Sequence, residues 1–151
     1  MVVGTMLLAI PMITLVMWFV LATDGLGDFP RGWAPILILA IAAGAYTLCE
    51  LVGFRTPALP AGGQPADVEK QAWQRFTSST FVRFAICEAV FLVSIAIAFV
   101  VESYWITLIG AVLALPLVAW EAWPGARNQQ RFATALESGG HPSYQIGRAH
   151  V

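Results

Sequence analysis

Four stretches of this chain stay apolar long enough to cross a lipid bilayer. They run over about Val2 to Ala22, Ala34 to Phe54, Ser78 to Val101 and Trp105 to Ala122, each close to the ~20 residues with which an α-helix spans a ~30 Å hydrocarbon core. Inside lipid no water is available to backbone N–H and C=O groups, so such runs are expected to satisfy themselves as helices. The pattern predicts an all-α protein: an integral membrane bundle of four transmembrane helices over residues 1–124, then a short helical tail over residues 125–144.

The polar positions punctuate this pattern. The first run begins at Val2 without the positively charged region that precedes the apolar core of a signal peptide, so a spanning helix is expected, with a kink at Pro11. So abrupt a start leaves room for an initiator further upstream. Thr23 to Gly32, TDGLGDFPRG, is dense in turn formers, and Trp33 follows where an interfacial aromatic belongs. In the second run Ala40, Ala42, Ala43, Gly44 and Ala45 are small enough to let another helix come close in lipid. Arg55 to Gln64, with two prolines and two glycines, reads as a linker. After it Asp67 can cap a helix, and Trp73 and Phe76 share one side. Two readings stand: an interfacial amphipathic segment, or an extension of the third helix. Glu102, Ser103 and Tyr104 are expected to make a tight turn between antiparallel third and fourth spans. Trp105 marks one interface, and Trp120 and Trp123 the other. Past Pro124 and Gly125 the polar stretch Ala126 to Ser138 reads as a helix stopped at Gly139 and Gly140.

Composition supports a membrane class, with 58% hydrophobic and 11% charged residues against about 45–50% and about 25% in soluble domains. Charge adds the orientation. Arg55, Lys70, Arg75, Arg83, Arg127 and Arg131 fall on one side of the expected spans and Arg31 alone on the other. The positive-inside rule then puts both termini in the cytoplasm, with a bacterial inner (plasma) membrane as the expected location. A net charge of −1 gives no reason to expect nucleic acid.

Ionisable groups within spans are where chemistry is sought, because each costs about 2.5–3.5 kcal/mol at a helix centre. Glu50 precedes Arg55 by five positions and Glu88 follows Arg83 by five. The two carboxyl groups are thus expected at similar depth. Glu50 shares its helical face with Ala43, Tyr46 and Thr47, which predicts an inward polar stripe. Glu88 has the bulkier neighbours Phe84, Leu92 and Ile95, so Glu50 is expected to matter more inside the bundle. Glu50, Arg83, Glu88, Thr47 and Tyr46 are therefore the candidate polar site. Its plainer interpretation is structural, with Glu50 paired to Arg83 and the set fixing helix register. Cys49 and Cys87 suit buried small side chains rather than a disulfide or a zinc site. His141 is a lone tail histidine, and Thr77, Ser78, Ser79 and Thr80 have no adjacent His or Asp to activate a nucleophile. No catalytic, cofactor or metal residues are expected.

Two resemblances attach to these residues. RFAICEAVFLVSIAIAF, with Glu88 followed by Ala89, resembles the proton-carrying helix of rotary ATP synthase c subunits. The same R-x-A-x-x-E span is similar to that of small uncharacterised bacterial four-span membrane proteins. LCELVGF around Glu50 resembles the proton-coupled glutamate helix of small multidrug-resistance transporters. The first and last resemblances imply carboxyl groups that load protons. The architecture favours an accessory or interaction protein that packs with itself or with a larger membrane complex in the lipid bilayer; the alternative is a small proton- or cation-coupled transporter, or a transporter subunit, using Glu50 and/or Glu88. The final IGRAHV, Ile146 to Val151, can be encoded by a widely used sequencing adapter, so Gln145 to Val151 are expected to be non-native and carry no functional argument.

Overall fold

A computed structural model describes residues 5, 7–53, 65–123 and 125–137 of the 151-residue chain. Every regular element among them is a helix: α1 (Ala9–Leu21), α2 (Trp33–Val52), α3 (Pro65–Val100), α4 (Tyr104–Glu121) and α5 (Ala126–Leu136). The whole Arg55 to Gln64 linker, Gly139, Gly140, His141 and Gln145 to Val151 lie outside the described residues.

Among the described residues three helices, α2, α3 and α4, are long and apolar enough to cross a membrane. The second and fourth expected runs agree with α2 and α4 to within two residues at each end. The first run is described as the 13-residue α1, which at ~1.5 Å per residue covers about 20 Å. The third run differs most. Between Ala66 and Val100 the sequence has neither glycine nor proline, so nothing interrupts hydrogen bonding, and α3 continues as one 36-residue helix. The segment around Trp73 is thus an extension of the third helix and not a separate one.

α3 and α4 form an antiparallel hairpin whose turn is built on Glu102. Its φ of 49° is left-handed, and the Ser103 N–H reaches back to the Ala98 carbonyl at 3.0 Å, closing a Schellman-type end. At the middle of the hairpin Gly110 lets α4 press onto α3, since a Cβ there would overlap the Ser94 side chain. α2 packs on both members of the hairpin through Ala34, Ile38, Ala42, Ala45 and Cys49, a face recurring every three or four residues. α1 lies against α4, where Tyr104 donates to the Thr14 carbonyl at 3.0 Å. At the same end Trp105 donates to the Gly27 carbonyl at 3.2 Å, drawing in the loop after α1.

The core joins these helices through Ile10, Cys49, Phe84, Cys87, Val90, Phe91, Ala114 and Val118. A second cluster lies at the opposite end from Tyr104, where α5 folds back on the extension of α3 and buries Phe132 and Leu136 against Val68, Ala72 and Phe76. The outer surface is strongly apolar. Met12, Phe19, Ile36, Leu39, Val100 and Val112 are all more than half exposed, a disposition that is a liability in water and a matched surface in lipid.

Candidate functional site

Polar side chains converge where α2 and α4 end and α5 begins. Arg83, about two turns beyond the Phe76 contact on α3, is completely buried. Its Nη1 donates to the Glu121 carbonyl at 2.5 Å, its Nε to the Ser79 carbonyl at 3.3 Å and its Nη2 to Thr80 Oγ1 at 3.4 Å. The Glu121 carbonyl is the last of α4, so the guanidinium sits at the negative end of that helix dipole and satisfies a carbonyl the helix leaves open. Asn128 of α5 completes the cap: its Nδ2 donates to the carbonyls of Trp123, Glu121 and Trp120 at 2.8, 3.0 and 3.2 Å.

Close approach makes room for this. Gly53, just past α2, lies against the Arg83 stem, and a Cβ at that position would come within 2.6 Å of Arg83 Cδ. Its carbonyl accepts from Ser79 Oγ. Beside it the Cys49 thiol donates to the Arg83 carbonyl at 3.7 Å and lies 3.7 Å from the Cys87 sulfur. Both cysteines are buried, free and part of the core.

Glu50 is gripped from α5. Arg131 Nη1 and Nη2 donate to Oε1 and Oε2 at 2.7 and 2.6 Å, a two-pronged fork, and Arg127 adds a contact at 3.7 Å while its guanidinium lies over the Trp120 ring at 4.5 Å. The Glu50 carboxylate holds the Arg131 guanidinium above its ordinary pKa range, chiefly through this fork.

The expected site is thus only partly brought together. Glu50 and Arg83 both belong to this end of the molecule, but the fork on Glu50 comes from Arg131, where Arg83 was the expected partner. Tyr46 and Thr47 are exposed, and Thr47 turns its hydroxyl back to the Ala43 carbonyl at 2.9 Å. The buried stripe of α2 is instead Ala42, Ala45 and Cys49, because these small side chains let α3 and α4 close in. Glu88 is half-buried on α3. Sequence reasoning missed Glu121 and Asn128. Glu121 is fully buried and both its carboxyl oxygens have no hydrogen-bond partner among the described residues. The available signal was a lone carboxylate between Trp120 and Trp123 at the edge of an apolar run.

Among the described residues no cluster of three or more His, Cys, Asp or Glu could hold a metal ion. The arrangement can lock helix ends together and can hold a proton. No family model, curated protein or solved structure matches this chain.

Proposed function

We propose that the chain is an integral membrane accessory or interaction protein of the bacterial inner membrane, with four spans and both termini cytoplasmic, that packs with a second copy of itself or with a larger membrane complex. One observation carries this reading. Contacts among the described residues use one small-residue face of α2, and leave Ala40, Ala43, Gly44 and Thr47 exposed on the other. Among the described residues, nothing beyond its own helix lies within 4 Å of where a Gly44 Cβ would stand. Small side chains at four-residue spacing let a neighbouring helix approach closely in lipid, where dispersion contacts and backbone proximity drive association. The exposed apolar belt and the Lys and Arg residues gathered on α3 and α5 support the membrane setting and the orientation. Extraction of native membranes in a mild detergent, followed by native electrophoresis, tests the reading: a particle larger than one chain is expected, and a Gly44→Leu variant should shift it toward the single chain.

A second reading, a small proton- or cation-coupled transporter or transporter subunit, is favoured by the buried Glu121 beside Glu50. It moves the weight of such coupling away from Glu88. Proton uptake into vesicles that hold the purified chain, lost on Glu50→Gln, would select it.

A further inference from the structure

Three buried oxygens at the α4–α5 junction have no donor among the described residues: both carboxyl oxygens of Glu121, and Asn128 Oδ1. All are acceptors when Glu121 is ionised, so what the site wants is a donor. Four charged side chains act on the Glu121 carboxyl: Glu50 from α2, Arg83 from α3, and Arg127 and Arg131 from α5. None of the three arginines hydrogen-bonds its oxygens. Arg83 reaches the carbonyl of Glu121, and the Arg131 fork is spent on Glu50. The remaining neighbour is Glu50, whose carboxyl is within hydrogen-bonding reach of the Glu121 side chain.

Two carboxyl groups in contact are not both ionised without a donor between them. Glu50, with both oxygens in the Arg131 fork, is the natural anion; Glu121, dry and without donors, is the natural acid. We infer that Glu121 holds a proton at neutral pH and donates it to the Glu50 carboxylate, so that this pair, bridging α2 and α4 under α5, is a single proton-binding site. A metal cation fits poorly, since three guanidinium groups surround only two carboxyls. The proton adds a donor where one is lacking and leaves the Arg131 fork intact. This site depends on neither reading of the protein's function, because it is defined by occupancy and not by transport or assembly.

Infrared spectroscopy of the purified full-length chain in lipid tests this, reading the carbonyl stretch of protonated carboxyl groups at neutral pH. The wild type should show such a band, and Glu88→Gln should keep it. Glu121→Gln should lose it, with the fold retained because the amide still offers a donor to Glu50. Glu50→Gln should move it to higher frequency, since an amide carbonyl accepts more weakly than a carboxylate. If Glu121→Gln does not fold, the Glu50→Gln shift decides, and an unmoved band overturns the inference. A wild type with no band, as when a buried water supplies the donor, overturns it. So does a band that disappears in Glu88→Gln, or one removed by adding sodium or magnesium salts at constant pH.

Discussion

Arg131 of α5 holds Glu50 of α2 by both carboxylate oxygens, at 2.7 and 2.6 Å, across 81 positions of sequence. This ion pair, with the Phe132 and Leu136 contacts, ties the tail to the apolar helices. The pair is partly exposed, 38% for Arg131 and 26% for Glu50, so its share of stability is discounted to about 1 kcal/mol or less. Arg131→Ala should lower the melting temperature slightly and speed tryptic cleavage at Arg127. The exchange Glu50→Arg with Arg131→Glu should restore much of the protection, read by limited proteolysis of the two single variants and the double one.

Removing Arg83 should be far more costly. Its buried guanidinium serves the Ser79 and Glu121 carbonyls and Thr80, and Arg83→Ala leaves these acceptors dry, for about 3 kcal/mol. Arg83→Lys should recover little, because a single ammonium does not reproduce the guanidinium's spread of donors. Thermal unfolding in detergent, followed by circular dichroism, measures both.

The apolar skeleton was legible in the sequence and the polar site largely was not. α2 and α4 are dictated by uninterrupted apolar runs bounded by Gly32, Gly53 and Ser103, and the long α3 follows from the lack of glycine or proline after Pro65. Helical periodicity groups Ala43, Tyr46 and Thr47 on one face with Glu50, but it does not say which face a helix turns inward. That was decided by where Ala42, Ala45 and Cys49 could admit α3 and α4. Glu121, Asn128 and Arg131 were beyond reach for another reason: their meeting depends on α5 folding back, a tertiary event with no local period to announce it.

Glycines at two depths should behave in opposite ways. Gly110→Val drives a side chain into Ser94 and should destabilise the α3–α4 hairpin by about 1–3 kcal/mol, as overpacking does. Gly44→Val meets no side chain among the described residues, so the melting temperature of the dispersed single chain should change little while assembly weakens. Thermal melts in detergent paired with native electrophoresis separate the two effects.

At the hairpin turn, Glu102 occupies a left-handed conformation that favours glycine. Glu102→Gly should leave the fold unchanged and stabilise it by up to about 1 kcal/mol, whereas Glu102→Val should destabilise it by a similar amount. Melting temperatures of the pair, measured side by side, check the sign.

Photo-cross-linking in native membranes tests the central claim, that α2 offers its outer small-residue face to another protein, most directly. A photoreactive amino acid is placed at Gly44, on that face, and as a control at Val112, exposed on α4. A discrete protein adduct is expected from position 44, at twice the chain's mass for a second copy or at a fixed larger mass for a complex, and only lipid adducts from position 112. Lipid adducts alone from both positions would contradict it.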